Sequence, residues 1–122
     1  SGSRDAIVEF ATFTNYFSPG VKFTCPISDE ELPFLDLVLR PTFDHLTTSI
    51  HYKPTDTHSY LNYASSHPIR CKNSIPFSQF LRLRRICTDS DDFDVKSMEV
   101  ANFFRNRGYP QSIVDRARTL VT

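Results

Sequence analysis

The sequence predicts an α+β fold in which an N-terminal helix and a small antiparallel sheet, a hairpin or three strands, precede a cluster of three helices. Segments with alternating or β-branched residues lie between residues 21 and 53, as expected for half-buried strands. Apolar residues recur at steps of three and four before residue 18 and after residue 74, which is the spacing of amphipathic helices. The chain has 122 residues, 39% of them hydrophobic and 13% aromatic, so it is long enough to enclose a core.

The first helix is predicted over residues 5–17. Its apolar positions follow the helical spacing and are Ile7, Phe10, Phe13 and Phe17. We therefore expect this helix to pack one aromatic face inward and to end at Ser18, Pro19 and Gly20. Residues 1–3 are typical of a cloning scar, and we expect the natural sequence to continue upstream.

Three segments have the composition of strands, at residues 21–25, 34–40 and 46–53. An acidic turn at residues 28–31 joins the first two and suggests a hairpin, and the third strand is expected beside the second. Residues 57–68 combine Tyr60 and Tyr63 with Ser, His and Asn. This mixture predicts an ordered loop or a short helical turn packed along the sheet edge.

The remaining sequence predicts three helices. The first starts with Ser74 as its N-cap and an early Pro76. Asp89 and the carboxylates after it cap the second helix, Gly108 ends it, and Pro110 opens the third. The predicted inward residues are Phe77, Phe80, Leu81, Leu83 and Cys87 in the first helix, Val95, Met98, Ala101 and Phe104 in the second, and Ile113 or Val114, Ala117, and Leu120 or Val121 in the third.

Charge is distributed unevenly along the chain, although the formal net charge is zero. Residues 1–66 contain four Lys and Arg against eight Asp and Glu, whereas residues 67–122 contain ten against six. We therefore predict a boundary between a helix-and-sheet part at residues 4–66 and a basic three-helix part at residues 67–122. A basic surface suits a polyanion such as nucleic acid, although a solvated helical surface gives the same count.

Motifs for catalysis and metal binding are missing from the sequence. Cys25, Cys71 and Cys87 are widely spaced, so we expect reduced packing thiols and neither disulfides nor a zinc site. No apolar run approaches the roughly 18 residues that a membrane span needs, and the start of the chain does not resemble a signal peptide. These features predict an intracellular protein that binds its partner and does not catalyse a reaction on it.

The basic segment at residues 67–87 is the predicted contact surface. Arg82 and Arg85 lie near each other on a helical wheel, and Arg70 and Lys72 precede the predicted helix. Such side chains would contact phosphates, which positions a duplex without reading its sequence; the alternative is a solvated face.

Arg84 falls inside the apolar stripe. Its stem is expected to pack on the core, or its guanidinium to pair with Asp91 or Asp92. Helix, tight turn and helix in a basic segment also permit a helix-turn-helix domain with one helix in the major groove. Gln79 is the sole neutral amide on the candidate helix, so base readout is only weakly indicated.

Two isolated carboxylates, Asp36 and Asp56, are candidate functional groups. Asp36 should face solvent or pair with a basic residue, and Asp56 should cap a turn. Metal-assisted phosphoryl chemistry needs carboxylates that converge around ions, and the sequence does not indicate that these two do. No catalytic residue is predicted.

Short blocks follow one another along the chain. They are Phe34-Leu35-Asp36, Tyr52-Lys53-Pro54-Thr55-Asp56-Thr57, Tyr60-Leu61, Ser66-His67-Pro68, Lys72, Ser74-Ile75-Pro76, Gln79, Leu81-Arg82-Leu83-Arg84-Arg85-Ile86-Cys87 and Arg107-Gly108-Tyr109-Pro110. In this order they resemble the reverse transcriptases of Penelope-like retroelements from animal genomes. The likeness runs from about Val21 to Ala117, and the ordered succession is specific although any single block is weak.

The resemblance implies the end of a polymerase palm, with a hairpin near the primer, followed by a thumb that closes on an RNA–DNA hybrid or DNA. Carried onto this sequence, Arg70, Lys72, Arg82 and Arg85 would contact the nucleic-acid backbone, with Lys53 as a lesser candidate. The family's catalytic aspartates and nucleotide-binding fingers are absent from this sequence, so we expect no cofactor here, whereas a parent polymerase would use a divalent metal such as Mg²⁺. The resemblance also implies a nuclear location and the remainder of the polymerase as a partner.

Two other functions fit the same residues. The first is a helical adaptor or self-association module, for example a homodimer. In it the arginines are solvated, and apolar surface left over from the chain's eleven phenylalanines forms a protein interface. In a helix-turn-helix DNA-binding domain, one helix would read a preferred site.

Overall fold

A computed structural model describes residues 3–17 and 19–122, and these residues form four helices and three strands. The elements are α1 (Arg4–Phe17), β1 (Leu32–Phe34), β2 (Leu37–Pro41), β3 (Leu46–Ile50), α2 (Ile69–Ile86), α3 (Ser90–Asn106) and α4 (Gln111–Val121). This order confirms the predicted α+β class, with a helix and an antiparallel sheet ahead of three helices.

The sheet is antiparallel in the order β1-β2-β3. Its hairpin turn lies at Leu35 and Asp36, between β1 and β2, where Leu35 adopts a positive φ of 55°. The predicted strand at residues 21–25 is therefore wrong, and so is the hairpin predicted across residues 28–31. Residues 28–31 do form a turn, in which two backbone N–H groups donate to the Ser28 hydroxyl at 3.3 and 3.4 Å. The backbone N–H and carbonyl of Phe23 bond to the side chain of Asn15 at 2.5 and 3.0 Å, so they are not free for a strand partner.

α1 forms where predicted, but its predicted inward face is wrong. Residues Arg4–Phe17 include no buried side chain. Phe10, Phe13 and Phe17 are exposed by 67, 64 and 80%. The helical periodicity of the sequence correctly predicts the helix. Burial of its aromatic face would need another element packed against it, and none of the described elements covers that face.

α2 starts earlier than predicted. It begins at Ile69, directly after Pro68, whose φ is −54°, and Lys72 anchors its first turn to the preceding loop. Ser74 is therefore not the N-cap, and Pro76 lies buried inside the helix. Tertiary contacts of the first turn outweigh the local start signal.

The core lies between the three C-terminal helices and β3. Its buried apolar residues are Ile50, Phe80, Leu83, Cys87, Phe93, Val100, Ala101, Phe104, Tyr109, Val114 and Ala117. Val95 and Met98, predicted inside α3, are wrong, since they are 57 and 58% exposed. Steps of three drift around a helix of 3.6 residues per turn, whereas the buried face keeps alternate steps of four and three from Phe93 through Ser97 to Val100. Phe77 is likewise more exposed than predicted, at 39%. Of the alternatives Leu120 and Val121, Val121 packs against the core and Leu120 is 67% exposed.

β3 is joined to the turn between α2 and α3 by two threonines. The N–H of Thr88 donates to the carbonyl of Thr48 at 3.0 Å, and the N–H of Thr48 donates to the hydroxyl of Thr88, also at 3.0 Å. The Thr48 hydroxyl also donates to the carbonyl of Ile86. These bonds fix the sheet against the helices that follow it.

Among residues 3–17 and 19–122, no helix has the length and apolarity to cross a membrane.

Candidate nucleic-acid interface

Arg70 and Arg85 are exposed at opposite ends of α2. Across residues 3–17 and 19–122, neither forms an ion pair. A rise of about 1.5 Å per residue separates them by roughly 22 Å along the helix, about six base pairs of duplex. Their guanidinium groups could therefore contact well-separated phosphates without giving up a carboxylate partner.

Lys72 is held by the loop that precedes α2. Its ammonium group donates to the backbone carbonyls of Tyr63 and Ser65 at 2.8 and 2.9 Å. It also lies 5.0 Å from the centre of the Tyr63 ring, within the range of a cation–π contact. Since Lys72 has only three N–H donors and two are engaged, the structure gives it a role in anchoring α2.

Arg82 pairs with Asp36 of the hairpin turn. Its Nη2 lies 2.8 Å from Asp36 Oδ2, and the two side chains are 44 and 62% exposed. The Asp36 carbonyl also accepts the backbone N–H of His51 at 2.8 Å. Of the two predictions for Asp36, pairing with a basic residue is confirmed. An ion pair this exposed contributes about 0–1 kcal/mol, so a phosphate could compete for Arg82.

Lys53 is exposed and lines the same cavity as Arg82. The structure thus brings together two of the predicted contact residues that are separated in sequence, whereas Arg70 and Arg85 are not among the residues that line this cavity. Asp56 accepts the backbone N–H of His58 at 2.8 Å, which confirms its predicted role in capping a turn.

Arg84 packs its guanidinium over an aromatic ring. Its Cζ lies 5.3 Å from the centre of the Phe93 ring. Across residues 3–17 and 19–122 it forms no ion pair, so the expected pairing with Asp91 or Asp92 is not observed. The packing alternative is confirmed.

The turn between α3 and α4 has the length and composition of a helix-turn-helix turn. It comprises residues 107–110, and Gly108 has a φ of 84°, the left-handed conformation predicted for it. Arg107 holds this turn against the loop before α2, because its Nε donates to the carbonyl of Tyr60 at 2.6 Å and its own carbonyl accepts the N–H of Tyr63 at 3.0 Å.

α4 presents polar residues on its free face, and these are the functional candidates that the sequence prediction missed. Its buried residues are Val114 and Ala117. The exposed residues are Gln111, Ser112, Asp115, Arg116, Thr119 and Leu120. Their signal in the sequence is the glycine turn ahead of them, whereas the sequence prediction places the candidate for base readout at Gln79, in α2.

An aromatic cluster shapes the loop between β3 and α2. The rings of His58 and Phe103 stack with centres 4.2 Å apart and planes 5° from parallel, and Tyr52 meets His58 edge-on at 4.4 Å. Burial raises the pKa of Tyr52 and of Tyr60 above the ordinary tyrosine value, and the Asp56 carboxylate adds to the increase at both. Both hydroxyls therefore stay protonated at neutral pH.

Residues 59–119, half of the chain, match the family model of the animal helix-turn-helix domain. The chain belongs to this family. In the searches of curated proteins and of solved structures, nothing matches it.

The animal helix-turn-helix domain defined by this match comprises α2, α3 and most of α4, together with the loop that starts at Ser59. Arg70, Lys72, Arg82 and Arg85 lie inside it. Lys53, Asp36 and the sheet precede it in sequence. The cavity shared by Lys53 and Arg82 is therefore built partly by the helix-turn-helix domain and partly by the hairpin and loop before it.

Proposed function

We propose that this chain binds a nucleic-acid duplex through its helix-turn-helix domain, with α4 facing the groove. The observation that carries the proposal is the glycine turn at residues 107–110, which leads into a helix with one buried side and one polar, exposed side. In helix-turn-helix domains the helix after the turn lies in the major groove with its N-terminal residues at the base edges.

The exposed side of α4 has side chains suited to base edges. Gln111 opens the helix, and Arg116 follows after more than one turn. A glutamine can bond an adenine at two positions and an arginine a guanine at two positions, each pair being worth about 1–3 kcal/mol of discrimination. Both residues are exposed, so contact with bases would not require either to leave the core.

Arg70 and Arg85 would add contacts to the phosphate backbone. The chain has a formal net charge of zero, so we expect modest affinity carried by few contacts. The logarithm of the binding constant should fall with the logarithm of salt concentration with a slope of about −0.9 per neutralised phosphate, and two or three contacts give a slope of about −2 to −3.

A finer form of the proposal makes this domain the thumb that follows the palm of a Penelope-like reverse transcriptase. The ordered blocks described above support it. Members of three blocks that are distant in sequence, Asp36, Lys53 and Arg82, line one cavity in the structure. In that setting the duplex would be an RNA–DNA hybrid, and polymerase chemistry would belong to the remainder of the parent protein.

Fluorescence anisotropy with a labelled DNA duplex, at low and moderate salt, tests the proposal. Arg116→Glu should lower the affinity about tenfold or more, since a base contact is worth about 1–3 kcal/mol. Lys22→Glu is the matched control, because it makes the same charge change at an exposed site outside the helices and should have a much smaller effect. No binding at low salt, or equal losses in the two variants, would refute the proposal.

A comparison of duplexes separates the two forms of the proposal. The major groove of an A-form helix is deep and narrow and does not admit side chains to the bases. Binding of α4 in the major groove therefore predicts a preference for B-form DNA, whereas a thumb should bind an RNA–DNA hybrid at least as tightly as DNA. If the protein binds DNA but does not bind the RNA–DNA hybrid, the thumb proposal is refuted. A selection from random duplexes that returns no preferred site would refute sequence-specific reading.

A second candidate function is self-association through α1. The observation that favours it is the exposed aromatic face of this helix, where Tyr16 and Phe17 are 91 and 80% exposed. A net charge near zero also leaves little long-range repulsion between copies. Light scattering tests it, since a dimer that Phe13→Ser converts to a monomer would support self-association, and a monomer at high concentration would refute it.

A further inference from the structure

A cavity of about 460 Å³ lies where the hairpin turn, the loop after β3 and α2 meet. Small-molecule sites commonly measure about 300–1,000 Å³. Its functional lining includes Asp36, Lys53, Tyr52, Tyr60, Gln79 and Arg82. The proposed duplex binding uses α4, Arg70 and Arg85. It gives this cavity no role.

The lining combines two cations, Lys53 and Arg82, with two carboxylates, Asp36 and Asp56, and with the Gln79 amide. Lys53 and Arg82 could bind a phosphate, and Asp36 and Gln79 could accept hydrogen bonds from amino or hydroxyl groups. An inorganic anion would use the cations alone and would be repelled by Asp36. A nucleotide has a phosphate together with amino and hydroxyl donors, so it matches both halves of this lining.

The wall of the cavity is aromatic and held in place. Tyr60 stacks on Phe104 with ring centres 4.6 Å apart, and Tyr52 is held edge-on by His58. The Tyr52 hydroxyl is buried and has no hydrogen-bond partner among residues 3–17 and 19–122. Buried polar groups usually have a partner, and this hydroxyl is an exception.

The shape of the cavity is set before any ligand arrives. His58 adopts a positive φ of 52°, which is uncommon for a residue with a side chain. The bond from its N–H to Asp56 and its stacking on Phe103 hold this conformation. A preformed site avoids much of the ordering entropy that binding otherwise requires.

We propose that this cavity takes up one unpaired nucleotide of a nucleic-acid strand, with its phosphate on Lys53 and Arg82 and its base near Tyr60 and Gln79. This inference rests on the proposed function, because it names what the domain binds beside the duplex. The exposed pair between Arg82 and Asp36 yields to the phosphate, and Asp36 then accepts a donor of the nucleotide.

The test compares a blunt DNA duplex with the same duplex carrying a short single-stranded overhang, by fluorescence anisotropy. The overhang should raise the affinity about tenfold, as expected where a base stacks on an aromatic side chain. Gln79→Leu removes the amide beside the base, so it should reduce this gain and leave blunt-duplex affinity unchanged. Gln111→Leu is the reciprocal control, since it changes the other glutamine of the chain and should weaken both duplexes equally.

The outcomes separate this inference from the proposed function. Binding of both duplexes with equal affinity, unaffected by Gln79→Leu, would overturn the nucleotide site and leave duplex binding standing. Failure to bind either duplex at low salt would overturn the proposed function. NMR titration with adenosine 5′-monophosphate then tests the cavity alone. Shifts of the Tyr60 and Gln79 amides support the site, and identical shifts with inorganic phosphate, or none at all, refute it.

Discussion

Gly108 sets the direction in which the chain enters α4, and its replacement by alanine should destabilise the fold by a calculable amount. Its φ is 84°, and an added Cβ would lie 3.9 Å from Tyr63 Cβ, an ordinary van der Waals distance. The penalty is therefore one of backbone conformation. A side chain in the left-handed region costs about 1–2 kcal/mol, and the lower entropy of alanine in the unfolded chain offsets about 0.4–1 kcal/mol. The net loss should be about 1 kcal/mol, or roughly 4 °C in Tm for a chain of this size.

Urea unfolding followed by circular dichroism measures this loss. Gly20→Ala is the matched control, because an added Cβ there meets nothing within 4 Å and φ is not in the left-handed region. We expect that variant to be as stable as the parent or slightly more stable. Gly108→Asn should lose less than Gly108→Ala, since asparagine tolerates the left-handed region better. Equal stability of Gly108→Ala and Gly20→Ala would refute the reasoning.

Three other side chains give stability predictions that the same unfolding curves check. Lys72→Met should lose about 2 kcal/mol, because a charged donor to two carbonyls is removed; a loss no larger than that of Arg85→Met, which changes an exposed site, would contradict this. Thr48→Val should lose about 1–3 kcal/mol, because its hydroxyl joins β3 to the turn after α2, and an unchanged midpoint would argue against it. Burial, followed by the Asp92 carboxylate, raises the pKa of the Cys87 thiol from 9.0 to about 11. The unfolded thiol releases its proton first, so stability should fall as pH rises from 9.0 to about 11, and Cys87→Ala should show a smaller fall; identical pH profiles would contradict this prediction.

Local chemistry allowed much of the helical part to be predicted from the sequence. The carboxylate of Asp89 accepts the N–H of Asp91 at 3.2 Å, as expected of an N-cap, and Gly108 ends α3 in the left-handed conformation. Caps and glycine turns depend on residues that are neighbours in sequence. They can therefore be predicted without knowledge of the fold.

Features that depend on distant contacts were not predictable in the same way. The start of α2 is set by bonds from Lys72 to the loop before it, and these outweigh the start signal at Ser74. The edge strand β1 contains Pro33, and Leu35 at a positive φ interrupts what looks like one continuous apolar strand. Pro33 is itself a local signal of an edge strand, whereas the positive φ of Leu35 has no marker in the local sequence.

The candidate site shows the same division. Basic residues of α2 were identified from composition, but Arg82 and Asp36 are 46 residues apart in sequence, and their pairing needed the structure. Lys72 and Arg70 are both basic residues near the start of α2. The Lys72 ammonium group donates to two backbone carbonyls, whereas Arg70 is exposed. Arg116 was missed because its importance depends on which side of α4 the core covers.

The threonine joint between β3 and the turn after α2 bears on how this domain should be isolated for study. A fragment trimmed to residues 59–119 would retain α2, α3 and most of α4, but it would leave the Thr88 N–H and the Ile86 carbonyl without their partner Thr48. It would also remove Ile50 from the core. We therefore expect the stretch that folds cooperatively to be longer than the stretch with family likeness, and a fragment that retains the sheet to give the sharper unfolding transition.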